Sequence, residues 1–391
     1  MANQISVLNP ANWRPIVQDF LNNNLIATAI ANTEVRSELN DGDTVNFPQM
    51  GDLTTQDYVQ GTDLTISQLY ASQSSLVVNK SKAVTFPLDP VQEKQAKAKY
   101  GMVMAKQSAF RLANQIDQTL LADGCTNAFT NVAGGTLTTP TMFSLMTDNY
   151  ARLARQNAVD GELFAVLDPE RISLLAQTFV ANGFTKADTT LEHNFKGMAS
   201  EFNVYSSNNL PSTVTMTVAV QPTAGDTFTL YGTQFIFRAT GTAALPGEIS
   251  LGANVAATQA NILLAINGTG TPGASTYIDF TTAATVDSRA ILSNNVAAAS
   301  AFATNVTTIT GFGKIGLTGT WSSGSNLFGT ETTKILFGRM GAISLGMQMM
   351  PSLYIREEPR QLVKNYITHT LYGTKTFSRD AKRLVAVTIN A

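Results

Sequence analysis

The sequence contains little of the chemistry that enzymes and metal sites use. Its 391 residues include one cysteine and two histidines, and only 14% of the residues are charged. A single cysteine excludes an intrachain disulfide and a cysteine-based zinc site. The 26 basic and 28 acidic residues nearly cancel, which excludes a generally basic nucleic-acid binder and a highly charged disordered chain. This composition favours a structural protein over an enzyme.

Long apolar runs are also missing. No run approaches the length of a membrane-spanning helix, so we expect no membrane partner. The first residues lack the basic stretch and apolar segment of a secretory signal, and we expect none. The chain is nevertheless 44% hydrophobic, which is enough for a sizeable core. Its length suggests two or three domains.

One segment is much poorer in charge than the rest. Between Thr213 and Thr320 only seven of 108 residues are charged, and 22 are threonine. Turn-rich sequences lie at both ends of this segment, which predicts a separate domain. Inside it, residues 225–237 alternate as a hairpin with Tyr231 and Gly232 at the turn. Residues 256–267 predict a helix, and residues around Tyr277, Phe280, Val306 and Ile309 suggest further strands.

The flanking sequence carries clear helix starts. Asp89 followed by Pro90 predicts a helix from about Pro90 to Ala122, about 50 Å long. Thr139 with Pro140 and Asp168 with Pro169 predict two more helices, and residues 164–167 between them read as a buried strand. Alternating apolar residues predict further strands over 335–337, 342–345, 366–373 and 384–389.

The stretch before the long helix has a different pattern. Short strands are predicted over residues 44–48 and 82–87, about 35 residues apart. The residues between them are mostly polar and include Asp52, Asp57 and Asp63. An excursion of this length usually forms an arm or a binding loop. We expect an extended two-stranded arm, which needs a neighbour because an isolated two-stranded ribbon is only marginally stable.

The order of these parts resembles the major capsid proteins of tailed bacteriophages, which have the Hong Kong 97 fold. The resemblance is carried by residues 110–117 of the long helix, 164–169, 202–211, 337–342, 371–375 and Arg379. It covers about 280 residues, all except the charge-poor segment. That segment lies where one group of short-tailed-phage coat proteins carries an inserted domain.

The resemblance implies an α+β fold with five parts. These are an N-terminal arm (1–40), an extended E-loop (41–89), a peripheral domain with the spine helix (90–135, completed by 350–391), an axial domain (136–212 and 322–349) and an inserted, small, β-rich α+β surface domain (213–321).

The implied function is self-assembly as hexamers and pentamers into an icosahedral shell around phage DNA. The chain would then be located in the virion capsid and assembled in the host cytoplasm. Because the arm is short, the resemblance implies a separate scaffolding protein; a portal protein and a decoration protein are further partners. The double-stranded DNA would be enclosed without sequence-specific binding, and no cofactor is implied.

The acidic loop suggests where subunits meet. Asp52, Asp57 and Asp63 could pair with basic residues of a neighbouring copy. Such pairs would fix how the two copies align more than they would raise the affinity between them. The candidates are Arg356, Arg360, Lys94 and Lys97.

Residues that could suggest catalysis have simpler explanations. Cys125 has no histidine near it in sequence, and His193 and His369 lie far apart. Glu357 and Glu358 are adjacent in a predicted strand, so their side chains point to opposite faces and cannot act on one atom. The alternatives that stay open are a tail-tube or fibre protein, an encapsulin-like compartment or surface-layer protein, and a hydrolase with a carbohydrate-binding module.

Overall fold

The structure, a computed structural model, describes residues 26–33, 43–50, 55–63, 71–89, 91, 94, 100–181, 197–282, 285–301, 305–358 and 363–390. These residues form a mixed α+β fold. Its helices are α1 (Ala27–Ile30), α2 (Tyr100–Asn127), α3 (Thr139–Arg155), α4 (Pro169–Ala181), α5 (Val255–Asn267), α6 (Val286–Asn295) and α7 (Ser378–Ala381). In this part of the chain no helix is both long and apolar enough to cross a membrane.

The strands fall into two groups. Those outside the charge-poor segment are β1 (Ala31–Asn32), β2 (Thr44–Met50), β3 (Ala71–Val77), β4 (Lys80–Leu88), β5 (Thr130–Thr136), β6 (Leu163–Leu167), β7 (Met198–Ala199), β8 (Phe202–Ser206), β17 (Thr332–Arg339), β18 (Ile343–Glu358), β19 (Val363–Lys375) and β20 (Leu384–Asn390). Those in or beside it are β9 (Pro211–Thr217), β10 (Thr227–Leu230), β11 (Thr233–Arg238), β12 (Glu248–Ser250), β13 (Val296–Ala301), β14 (Val306–Phe312), β15 (Thr318–Thr320) and β16 (Leu327–Phe328).

These strands form four sheets. The largest sheet has ten strands. Seven of them follow the order β13-β14-β9-β17-β6-β8-β7, β16 pairs with β9, and β20 pairs with both β17 and β5. A four-stranded sheet has the order β1-β18-β19-β4, and a second has the order β12-β11-β10-β15. The strands β2 and β3 pair only with each other.

The main core lies where helices α2, α3 and α4 pack against the ten-stranded sheet. Most of its buried members come from these helices and from β6, β17 and β20, and others come from α1, β8, β18 and β19. Strand β6 is buried at all five positions, as expected for the uninterrupted apolar run of a central strand. Helix α2 also crosses the sheet that contains β19, where Ser108 and Thr368 are joined by a buried hydrogen bond of 2.7 Å.

The charge-poor segment has a core of its own. Buried residues between Val214 and Leu317 form a cluster separate from the main core. We call residues 213–321 the module. Its centre is aromatic: the Phe228 ring stacks on Phe235 with 4.9 Å between centroids, and Trp321 stacks on Phe237 at 5.6 Å.

The module is nevertheless continuous with the body through one sheet. Strand β9 pairs with β14 of the module over seven residues, and its first residues pair with β17 of the body. A second link is ionic, because Lys314 Nζ lies 2.5 Å from Glu170 Oε1 at the start of α4. The hydrogen bond from Lys314 holds the pKa of the Glu170 carboxyl below its ordinary value.

Helices are present at the predicted places. The predicted start of the long helix, Pro90, lies outside the described residues. The cap of α3 is Thr138 and not the predicted Thr139, and Thr138 forms a capping box with Thr141. Helix α5 is followed by Gly268 as its C-cap, whose backbone adopts the left-handed conformation that favours glycine. The predicted end of the long helix at Ala122 is wrong, because α2 continues through Gly124 and Cys125 to Asn127. Gly124 lies close to the sheet: an added Cβ would lie 2.5 Å from Ile343 Cδ1.

Two strand predictions are corrected. The strand predicted over residues 82–87 does not return alongside residues 44–48; as β4 it joins β19 of the body. The partner of β2 is instead β3, which the sequence did not predict. Tyr277 forms only a single bridge with Ile249, and Tyr277 and Phe280 lie in no strand. The hairpin of β10 and β11, β14 and the C-terminal strands are confirmed.

Gln118 is an unusual buried residue of helix α2. Its side chain is 1% exposed, and neither its amide oxygen nor its nitrogen has a hydrogen-bond partner. We expect Gln118→Met to raise the free energy of unfolding by about 1–2 kcal/mol, because methionine has a similar length and no amide to desolvate. Denaturant unfolding of the variant measures this gain. Gln107→Met, at a half-buried position of the same helix, should bring none. A loss of stability in Gln118→Met would mean that the amide is hydrogen-bonded in solution.

Candidate assembly surfaces

The pair β2–β3 forms a ribbon that leads away from the body. Its antiparallel register runs from Thr44 opposite Val77 to Met50 opposite Ala71. We call residues 43–78 the loop. A turn occupies residues 59–62, where the backbone N–H of Thr62 donates to Val59 O and Gly61 has a positive φ of 88°. Tyr58 and Val59 beside this turn are 71% and 63% exposed, so the turn offers apolar surface to a partner.

The base of the loop is held by a small apolar cluster. Val45, Leu76 and Val78 pack with Phe377, which follows the end of β19. The ring of Phe47 meets Phe377 edge-on with 4.8 Å between centroids. These contacts fix the end of the ribbon that touches the body and leave the turn free to reach another molecule.

Gly373 of β19 allows the loop base to lie close to the body. A Cβ at this position would be 2.3 Å from the carbonyl oxygen of Val77 and 3.1 Å from Val78 Cα. Both atoms belong to the backbone, so a side chain could be accommodated only by moving the strand. Glycine is therefore required for the close approach.

The structure places only some of the residues predicted to join subunits. Asp57 and Asp63 are exposed on the loop near its turn, and Lys94 and Arg356 are exposed on the body. The remaining candidates, Asp52, Lys97 and Arg360, lie outside the described residues.

The far end of the β18–β19 hairpin is a second exposed apolar surface. Leu353, Tyr354 and Ile355 are 45%, 51% and 56% exposed. Beyond its short pairing with β1 at Ile343 and Ser344, strand β18 has β19 as its only neighbour among the described strands. An exposed apolar strand at a sheet edge marks an interaction surface or a risk of aggregation.

A buried carboxylate joins three distant parts of the chain. Asp117 of α2 is fully buried. Its Oδ1 accepts hydrogen bonds from the backbone N–H groups of Ile26 and Ala27 at 3.0 and 2.8 Å. Its Oδ2 accepts from Asn209 Nδ2 at 2.8 Å and from Ser207 Oγ at 3.3 Å. Burial raises the pKa of Asp117 above its ordinary value, and these four hydrogen bonds oppose that rise.

Sequence reasoning did not identify this network. Asp117 and the turn of Ser207 and Asn209 were noticed separately, as parts of two motifs. Asn209 also donates to Asn114 Oδ1 at 2.8 Å, so two polar residues three apart on α2 face the same turn. The available signal was the i, i+3 spacing of Asn114 and Asp117, which places both side chains on one face of α2.

The described residues offer no arrangement typical of catalysis. Cys125 is fully buried, and burial raises the pKa of its thiol to about 12, so it stays protonated. His369 lies in β19, where its ring Nε2 is 2.9 Å from Ser81 Oγ, but no described carboxylate orients the imidazole. His193 lies outside the described residues. Within the described ranges, no three His, Cys, Asp or Glu side chains group as a metal site would require.

Comparison with solved structures relates this architecture to phage particles. The chain is similar to a chain from Mycobacterium phage Che8 at 11% identity and a TM-score of 0.58, covering 97% of this chain and 96% of that one. It is also similar to a chain in the capsid structure of the cyanophage P-SCSP1u, at 11% identity and a TM-score of 0.54, over 100% and 96% of the two chains. The chain shares the fold of these phage structures. Gordonia phage Cozz supplies a further match, with 11% identity, a TM-score of 0.53 and coverage of 98% and 92%.

The likeness to these phage structures lies in the fold and not in the sequence. No protein-family model matches the sequence, and no curated protein matches it. The aligned regions include nearly the whole of each chain, so the shared fold is not confined to one domain.

Proposed function

We propose that this chain is the major capsid protein of a tailed bacteriophage. It assembles as hexamers and pentamers into the icosahedral shell that encloses the phage DNA. The observation that carries the proposal is the fold shared along the whole chain with the cyanophage capsid structure. The shortage of catalytic residue types, with one cysteine and two histidines, agrees with a structural and non-enzymatic role.

The proposal also assigns the described helices and strands to the parts of the Hong Kong 97 fold. The loop is the E-loop, α2 is the spine helix, and the β1-β18-β19-β4 sheet with α2 belongs to the peripheral domain. Strands β6, β8 and β17 of the ten-stranded sheet, with α3 and α4, belong to the axial domain. The module, which contributes β13 and β14 to the same sheet, is an inserted domain on the outer surface. The separate core of the module supports this division.

Contacts between copies follow from the exposed loop. A ribbon of two strands needs a neighbour for stability, and the apolar side chains at its turn have none in a single chain. We infer that the loop crosses to a neighbouring copy, where Asp57 and Asp63 meet basic residues such as Lys94 or Arg356. Such pairs are individually weak, about 0.2–1 kcal/mol, but a closed shell repeats them at every subunit.

Other partners follow from the same role. A separate scaffolding protein directs assembly in the host cytoplasm, and a portal protein occupies one vertex. A decoration protein is a further candidate partner, for which the module is poor in charge and rich in threonine. The double-stranded DNA is enclosed without sequence-specific contacts, in keeping with the net charge of −2.

Electron microscopy of the purified chain, alone and with its scaffolding protein, tests the proposal. Closed shells or rings of five and six subunits are expected. Long tubes of stacked rings would favour a tail tube, and the mass per ring would separate that outcome from an irregular coat polymer. A dispersed monomer at high concentration with the scaffolding protein present would overturn the proposal.

Reversing the charge of the loop should prevent assembly. We expect the double variant Asp57→Lys, Asp63→Lys to fold normally, because both side chains are exposed, and to form few or no shells at physiological salt. Sedimentation and electron microscopy measure the fraction of the protein in shells. Asp287→Lys, an exposed site on the module, is the matched control and should assemble like the unmodified chain. Normal yields of shells from the loop variant would show that the loop charges do not join subunits.

A further inference from the structure

Residues 26–32 cross the body as a short strap. The strap comprises α1 and β1 with Ile26 before them. At one end the N–H groups of Ile26 and Ala27 donate to Asp117. At the other end β1 lies parallel to β18, with Ala31 opposite Ile343 and Asn32 opposite Ser344. The strap therefore connects helix α2 to the start of the long hairpin.

The strap depends on its polar contacts. Ile26, Ala27 and Ile30 are buried in the main core, but ordering seven residues has an entropic cost comparable with the gain from burying so few side chains. The pairing with β18 is only two residues long, supplemented by a hydrogen bond from Gly341 N–H to Ile30 O. Hydrogen bonds to an ionised carboxylate are roughly twice as strong as neutral ones, so the bonds to Asp117 contribute a large share of the attachment.

The side chain of Asp117 suits this role. Four donors converge on its two oxygens, and a carboxylate is the side chain that accepts hydrogen bonds at both oxygens without presenting a proton. The donors on Oδ2, Ser207 and Asn209, hold the carboxylate from the side opposite the strap. The turn of Ser207 and Asn209 therefore holds the same carboxylate that holds the strap.

We propose that the Asp117 carboxylate is a latch for the strap, and that removing its charge lets residues 26–32 open as a unit while the rest of the body stays folded. Opening uncovers the edge of β18 at Ile343 and Ser344 and the apolar surface beneath Ile26 and Ile30. The latch also fixes the point at which the preceding residues reach the body. In a shell this point limits which neighbours those residues can contact, a consequence that rests on the proposed function.

Hydrogen exchange on the unassembled full chain tests the latch. In Asp117→Asn, one oxygen is replaced by an NH₂ group that faces existing donors. We expect exchange in a peptide covering residues 26–32 to accelerate at least tenfold, while peptides from the second half of α2 and from β20 change less than twofold. Asp148→Asn makes the same substitution at an exposed site on α3 and should leave all peptides unchanged.

Two outcomes would overturn the latch. Unchanged exchange in residues 26–32 of folded Asp117→Asn would show that the carboxylate does not hold them. Acceleration across the whole body would show that the strap does not open separately. If Asp117→Asn fails to fold, Asp117→Ala removes the carboxylate without placing a donor against the strap and is judged by the same peptides. Because the measurement uses unassembled chain, its result is independent of whether shells form.

Discussion

Gly373→Ala is expected to detach the base of the loop from the body. The added Cβ would lie 2.3 Å from Val77 O and 3.0 Å from Val77 C. Neither backbone atom can rotate away as the end of a side chain could, so strand β3 must shift. The cluster of Val45, Leu76, Val78 and Phe377 would open with it. We expect a loss of about 3 kcal/mol, the upper part of the range for overpacking.

The measurement combines thermal unfolding with limited proteolysis. Cleavage within the loop should be faster in Gly373→Ala, and the yield of shells should fall because the loop no longer leaves the body at a fixed angle. Gly273→Ala is the control, since a Cβ there would meet nothing within 4 Å. A Gly373→Ala protein that melts and is cleaved like the unmodified chain would contradict the close approach of β3 to β19.

Phe228→Ala is expected to unfold the module at a lower temperature than the body. Phe228 is fully buried and contacts Phe235 and Phe237, with ring centroids 4.9 and 5.8 Å away. Replacing a buried phenylalanine by alanine costs about 3–5 kcal/mol. Because the module core is separate from the main core, most of this loss should fall on the module alone.

Tryptophan fluorescence separates the two units. The chain has two tryptophans, and Trp321 lies in the module between Phe237 and Phe328. In a Trp13→Phe background, the emission of Trp321 reports only on the module. In Phe228→Ala the midpoint temperature of the Trp321 transition should fall. The midpoint of the main transition in far-ultraviolet circular dichroism should stay unchanged. Phe129→Ala changes a side chain that is 61% exposed, and it should change neither midpoint temperature. A joint fall of both transitions would show that module and body unfold as one cooperative unit.

Local sequence signals predicted much of the fold. The start of α4 follows from Asp168 beside Pro169, the start of α3 follows from Pro140 in its first turn, and the end of α5 follows from Asn267 and Gly268. These signals act through the backbone of a few neighbouring residues, so they need no tertiary information. The hairpin of β10 and β11 was predicted for the same reason, because its alternation and its turn are contiguous.

Elements that depend on distant partners were not predicted. Strand β3 has the sequence ASQSSLV, which is too polar to be recognised without β2 beside it. The extension of α2 past Gly124 was not predicted because glycine is a common helix end, whereas here the helix continues close to Leu336 and Ile343, more than 200 residues away. The Asp117 network joins residues separated by about 90 positions. Of the candidate assembly residues, the loop carboxylates were recognisable from composition, whereas the exposed apolar end of the β18–β19 hairpin became visible only with the sheet.

The continuous sheet between body and module determines how mechanical load passes through a subunit. A domain joined by flexible linkers can swing when its anchor moves, but β9 belongs to both units and pairs with β14 over seven residues. A pull along β9 loads these backbone hydrogen bonds in shear, so that they must break together and not one after another. On the proposed function, load on the shell reaches the module through β9, whose pairing with β17 of the body covers two residues, Ser212 and Thr213.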